Sequence, residues 1–137
     1  MLEEWTRYTP LGVGIDLVKI TPLREMDQRM GGVFVRRTFT PREQAEAGSA
    51  PDPWCYYAGR FAAKEAVFKA TAHLLPEKSY DFRCVEILNG DGGKPYVVLP
   101  PGLKARLMPC GIDAVRIVLS VSGDYVIAMA QADGNAS

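Results

Sequence analysis

The sequence predicts an α+β fold in which a long central helix packs on an antiparallel sheet, and three observations carry that expectation. An apolar β-rich run opens the chain, an alanine-dense helical stretch fills its middle, and two apolar runs near the end are separated by a two-residue turn. The 137 residues are expected to form one domain, with a core over 10–132 and tails at 1–9 and 133–137. A chain of this size buries roughly two-thirds of the surface it exposes when unfolded. Hydrophobic residues make up 47% and charged residues 23%, ordinary globular usage that excludes disordered, collagenous and coiled-coil chains.

The elements follow in order. Leu11–Val18 reads as a strand bounded by Pro10 and Pro22. A short helix is expected from Thr21 to Met30, with Thr21 as N-cap, Pro22 at the first helical position and Gly31-Gly32 as its stop. Thr40-Pro41-Arg42-Glu43 has the spacing of a capping box and starts a second helix. Ser49–Pro53 reads as a polar loop. The strongest helix is expected over Tyr56–Leu74, where alanine is dense, with Pro76 as its stop. Strands are expected over Phe82–Leu88 and Tyr96–Leu99, on either side of the turn cluster Asn89–Gly93. Ala114–Ser122 and Tyr125–Ala132 should pair through a type II′ turn at Gly123-Asp124, and the small, polar segment from Ala132 onward should fray.

Charge and rare residues narrow the function. Sixteen basic residues balance sixteen acidic ones, which argues against a generic nucleic-acid binder. His73 is the one histidine, so a multi-histidine zinc site is excluded, and a Ser-His or Cys-His nucleophile would have to use His73. At the end of the main helix, His73 reads more simply as a residue placed favourably against the helix dipole. The acidic start, Met1–Trp5, lacks the apolar run of a secretory signal, and no stretch approaches the ~18 apolar residues of a membrane span. Cys55, Cys84 and Cys110 are odd in number and widely spaced, which fits free thiols in a reducing cytoplasm; Cys84, in an apolar run, is expected in the core.

Two carboxylates stand where apolar residues are expected. Asp16 lies inside the first strand and shares a face with Gly14 and Val18. Glu65 interrupts an otherwise apolar helical stripe of Phe61, Phe68 and Ala72. A buried carboxylate needs a partner. For Asp16 that partner is an ion pair or a strand-end hydrogen bond; for Glu65 it is Lys69, four residues on. The alternative joins them: one aspartate and one glutamate, with substrate phosphate oxygens and waters, make a Mg²⁺ site, and the neighbouring lysines offset phosphate charge.

These residues also carry a resemblance. Gly12-Val13-Gly14-Ile15-Asp16-Leu17-Val18 resembles the opening motif of holo-acyl-carrier-protein synthases, and Arg60-Phe61-Ala62-Ala63-Lys64-Glu65-Ala66 with Lys69 resembles their helical signature. Arg37-Thr38-Phe39-Thr40 with Glu43, Gly93-Lys94-Pro95-Tyr96 and Tyr125-Val126-Ile127-Ala128 resemble further family segments in the same order, over residues 12 to 130. The resemblance implies a small 4′-phosphopantetheinyl transferase, trimeric, with coenzyme A bound between subunits. Such an enzyme moves phosphopantetheine from coenzyme A to a serine of an acyl carrier protein and releases adenosine 3′,5′-bisphosphate. By motif position, Asp16 and Glu65 would hold Mg²⁺, and Lys69 would contact the phosphates and assist proton transfer. Arg60 and Lys64 would lie near the nucleotide phosphates, Gly93, Lys94 and Pro95 near the adenosine end, and Ser120 in the nucleotide pocket.

The family carries a histidine-containing strand before its last one. Here Val118 stands where the first histidine is expected, the second is missing, and the turn is about two residues shorter. That departure motivates an alternative, a non-catalytic relative that binds coenzyme A or the carrier. A Mg²⁺-dependent phosphohydrolase using the same carboxylates is a second. Partner chemistry has its own signal. From Lys19 to Arg42 six basic residues, among them Arg24, Arg29 and Arg36, face only Glu25 and Asp27, a basic segment suited to an acidic carrier protein. The family's docking arginine, six residues after the aspartate, is Pro22 here, and Arg24 is the nearest substitute.

Overall fold

β1 (Tyr8–Lys19) and the last strand, β5 (Tyr125–Asn135), pair antiparallel along almost their whole length, and β4 (Ala114–Ser122) pairs on the other side of β5, giving the order β1-β5-β4. The computed structural model describes residues 8–75 and 81–135. Between β1 and the later strands come α1 (Ile20–Arg29), α2 (Val33–Thr38), α3 (Pro41–Gly48) and α4 (Pro53–Thr71), the last extended by a 3₁₀ turn over Ala72–Leu74. A two-stranded ribbon, β2 (Glu86–Asn89) with β3 (Pro95–Val98), and α5 (Pro101–Leu107) complete the described elements. The architecture is the expected long helix on an antiparallel sheet.

The alanines of α4 do more than favour helix. Ala58, Ala62, Ala63, Ala66 and Ala70 are buried against Val126, Ala128, Ala130 and Ala132 of β5, so small side chains meet on both sides. The helix backbone therefore comes close to β1. A Cβ on Gly14 would lie 2.0 Å from the Ala66 carbonyl oxygen, and one on Gly12 1.9 Å from that of Ala70. Glycine is required there by the close approach of two backbones. The opposite face of the sheet is uncovered within one chain: Val13, Ile15, Leu17, Val118, Ile127 and Met129 are exposed.

Several expected boundaries shift for identifiable reasons. α4 starts at Pro53 rather than Tyr56, because the Asp52 carboxylate accepts from the Trp54 and Cys55 amides and Pro53 occupies the first turn. The capping box at Thr40 and Glu43 is present. Thr21 does not cap α1. The helix begins at Ile20, with Lys19 in the cap position, and Thr21 binds the side chain of Asp124. Phe82–Cys84 forms a 3₁₀ turn, so the strand expected from Phe82 begins at Glu86, and Cys84 is exposed rather than in the core. The segment from Ala132 does not fray: Ala132, Asp133 and Gly134 are buried in the β1–β5 pairing. Gly123 has φ +58° and Asp124 a negative φ, as a type II′ turn requires. Pro76 and the first seven residues lie outside the described residues.

Candidate active site

Side chains alternate along β1, so Gly14, Asp16 and Val18 face α4 while Val13, Ile15 and Leu17 face away. Asp16 therefore points to the helix stripe that carries Glu65. Both line one open cleft of about 460 Å³, together with Leu17, Val18, Lys19, Phe61 and the inner face of α1 at Pro22, Leu23 and Met26. Lys69 Nζ donates to Asp16 Oδ1 at 3.0 Å and to the Ile15 carbonyl at 3.2 Å. The expected Glu65–Lys69 pair is replaced by this cross-element bond. Glu65 makes no ion pair among the described residues. Partial burial pushes its carboxyl above the ordinary carboxylate range, the Asp16 charge pushes it further, and Lys69 opposes both.

This donor set fits a divalent oxygen-seeking cation. Two hard carboxylates share a cleft, repel each other, and leave room for water and phosphate oxygens. Among the described residues no group of three His, Cys, Asp or Glu side chains comes together, which speaks against a closed zinc site.

The remaining expected residues are not gathered in that cleft. Lys64 points inward. Its ammonium contacts Glu43 Oε1 at 2.9 Å and donates to the carbonyls of Phe82 at 2.7 Å and Val85 at 2.6 Å, and neither charged side chain is exposed. Burial pulls the Lys64 pKa down and Glu43 holds it up. Lys64 is thus an internal strut between α4, α3 and the chain before β2, not a phosphate contact in this arrangement. Arg60 is also engaged: Nε donates to the Ile87 carbonyl at 3.0 Å, a terminal nitrogen donates to Asn89 Oδ1, and the guanidinium stacks 4.3 Å from the Tyr56 ring. It borders a second cavity, of about 340 Å³, shared with Tyr56, Gly59, Leu119 and Val121.

Lys94 and Pro95 line a third cavity, of about 390 Å³, between β3 and β4, and Gly93 adjoins it with φ +79°. Ser120 is exposed on β4, on the uncovered face of the sheet. Arg24 and Arg29 project from α1 into solvent; Arg36, on α2, is exposed as well and bonds the Gly31 carbonyl at 3.1 Å. His73 is exposed, with Nε2 3.3 Å from the Leu11 carbonyl oxygen. Cys55, Cys84 and Cys110 are free. The apolar cleft walls at Pro22, Leu23 and Met26 were not singled out from sequence; their i, i+1, i+4 spacing, soon after the carboxylate of Asp16 near the end of a strand, is the signal that marks them.

The fold and cleft thus define an α+β protein whose first strand and central helix bring two carboxylates and a lysine together at one open cleft. The sequence profile of the 4′-phosphopantetheinyl transferase superfamily matches residues 12–130. A holo-[acyl-carrier-protein] synthase of Desulforudis audaxviator is 39% identical over 127 residues, covering 90% of this chain and 93% of that protein. The crystal structure of the holo-[acyl-carrier-protein] synthase from Neisseria meningitidis superposes with a TM-score of 0.80 at 32% identity, covering 90% of this chain and 98% of that one. The coenzyme A complex of the Chronobacterium ammoniagenes synthase superposes with a TM-score of 0.72 at 29% identity, over 90% of this chain and 96% of that one. The chain belongs to the holo-[acyl-carrier-protein] synthase family of the 4′-phosphopantetheinyl transferase superfamily.

Proposed function

We propose that this chain transfers 4′-phosphopantetheine from coenzyme A to a serine of an apo acyl carrier protein in a Mg²⁺-dependent reaction that releases adenosine 3′,5′-bisphosphate. The observation that carries the proposal is the shared cleft of Asp16 and Glu65, with Lys69 bonded to Asp16, in a chain of this family. Asp16 and Glu65 would hold the cation, which when bound would draw charge from the diphosphate of coenzyme A. The carrier serine oxygen bonds to the β-phosphorus as the bond from that phosphorus to the bridging oxygen breaks, and the adenosine bisphosphate departs with that oxygen. The serine proton passes to a water in the cleft. Asp16, if shared with a cation, would hold Lys69 less tightly, and the Lys69 ammonium would then offset charge developing on the phosphates. Phe61, Leu23 and Met26 give the cleft an apolar wall.

The nucleotide end calls for a second copy of the chain. Gly93, Lys94, Pro95 and Ser120 lie away from the carboxylate cleft within one chain, and the sheet leaves an apolar face of Val13, Ile15, Leu17, Val118, Ile127 and Met129 uncovered. A patch of that kind marks an association surface. We propose a homotrimer that covers it and brings the nucleotide-binding residues of one copy to the carboxylates of another. The exposed arginines of α1 and α2, Arg24, Arg29 and Arg36, would meet the acidic carrier. Three free cysteines fit a cytoplasmic setting, and no helix among the described residues is long and apolar enough to cross a membrane.

Val118 in place of an expected histidine favours one second reading, a relative that binds coenzyme A without transfer. Intact-mass spectrometry of an apo acyl carrier protein incubated with this chain, coenzyme A and Mg²⁺ decides. A gain of one phosphopantetheine on the carrier supports transfer. Coenzyme A binding with no gain supports the inactive relative, and phosphate release from coenzyme A with the carrier left unmodified supports a hydrolase.

A further inference from the structure

α1 walls the carboxylate cleft; Ile20 and Asp27 are its buried residues, and Leu23 packs against the core. The helix lacks a local N-cap, since Lys19 makes no side-chain cap bond. Its first-turn amides are satisfied by Asp124, which is 103 positions from Thr21. The Asp124 backbone carbonyl accepts from Ile20 N at 2.7 Å. Both Asp124 carboxylate oxygens lie 3.2 Å from Thr21 N, and Oδ1 accepts from the Thr21 hydroxyl at 2.8 Å. The third residue is Pro22, which has no amide to satisfy. A carboxylate at this end also complements the helix dipole. At the far end, Asp27 Oδ1 accepts from Val35 N at 3.1 Å. Two aspartates therefore fix the ends of the helix, beside the core contacts of Ile20 and Leu23.

Asp124 sits in the tight β4–β5 turn, adjacent to Gly123 at φ +58°. The sheet that carries Asp16 thus sets the position of Asp124, and Asp124 sets the position of α1 relative to Asp16. The cleft wall at Pro22, Leu23 and Met26 and the outward arginines Arg24 and Arg29 move with that helix.

We propose that Asp124 is a positioning residue that holds α1 in register with the carboxylate cleft and so governs engagement of the acyl carrier protein. The proposal rests on the transferase reading given above. Its test is steady-state transfer with the apo carrier varied at saturating coenzyme A, and then the reverse, for wild type, Asp124→Ala, Asp124→Asn and Thr21→Val, alongside amide exchange at Ile20 and Thr21. With the cap removed, Asp124→Ala should raise the carrier KM roughly three- to tenfold, leave the coenzyme A KM unchanged and lose protection at both amides. Asp124→Asn, which keeps an acceptor, should recover most of the carrier KM. Thr21→Val, which is nearly isosteric and loses one hydrogen bond, should shift it in the same direction by less. A carrier KM unchanged in every variant, an equal rise in both KM values, or no recovery with asparagine overturns the proposal. Wild type that never modifies the carrier refutes the transferase reading instead; undiminished protection of Ile20 and Thr21 in Asp124→Ala would then still overturn the anchor.

Discussion

Lys64→Met separates a phosphate contact from an internal strut. The Lys64 ammonium has three partners, Glu43 at 2.9 Å and the carbonyls of Phe82 and Val85 at 2.7 and 2.6 Å, and its side chain is fully buried. Glu43 accepts in addition from the amides of Thr40 and Ile87, both at 2.9 Å. Methionine refills the apolar volume, so cavity formation adds little. The ammonium cannot be replaced, however, and the Glu43 carboxylate is left buried without a counter-charge. Breaking one side of such a pair costs about 3–5 kcal/mol. For a chain of this size that lowers Tm by about 10–15 °C, at roughly 3 °C per kcal/mol. Thermal unfolding measures the loss, and the coenzyme A KM of the folded fraction should stay near wild type. Adding Glu43→Gln removes the stranded charge and should restore part of the stability. A Tm within about 3 °C of wild type, coupled to a raised coenzyme A KM, would refute the strut and return Lys64 to the phosphates.

Three further outcomes are expected. Glu65→Gln should abolish Mg²⁺-dependent transfer yet raise Tm in metal-free buffer at neutral pH. The folded state disfavours ionised Glu65, so that group's stabilising contribution is present below its ordinary value of 4.5 and is lost as pH rises through its raised value. The Tm difference should therefore close in acid, and an unchanged neutral-pH Tm would remove the repulsion with Asp16. Ile15→Lys, on the uncovered sheet face, should convert the assembly to monomers by light scattering and suppress transfer; a persisting oligomer would relocate the interface. Arg24→Glu should raise the carrier KM and flatten its dependence on salt, while the coenzyme A KM stays constant; an effect on coenzyme A alone would refute docking through α1.

Sequence exposed the parts of this molecule whose physics is local. The capping box at Thr40 and Glu43 and the Gly123-Asp124 turn were legible because neighbouring residues decide them. The start of α4 lies in Asp52-Pro53, a cap and first-turn proline upstream of the alanine-dense stretch from which the helix was expected to begin at Tyr56. What sequence concealed was long-range. Nothing near Thr21 announces that Asp124 holds its amide, and no spacing rule shows that Lys69 binds a strand carboxylate rather than Glu65. The basic signature Arg60-Lys64-Lys69 conceals three environments, because rotation along α4 turns Lys64 to the interior, Arg60 to β2 and Lys69 to the cleft. The odd carboxylates Asp16 and Glu65 were visible as apolar-pattern breaks, and the fold brings them to one cleft because Gly12 and Gly14 let α4 lie against β1.

The claim on which the rest depends is that Asp16 and Glu65 jointly hold a divalent cation against the diphosphate of coenzyme A. Mn²⁺ titration followed by electron paramagnetic resonance, with coenzyme A present, addresses it without relying on turnover. Wild type should bind the cation at a single site per chain, and Asp16→Asn and Glu65→Gln should each lose that site while retaining their fold by circular dichroism. Undiminished Mn²⁺ binding in both variants would contradict the account.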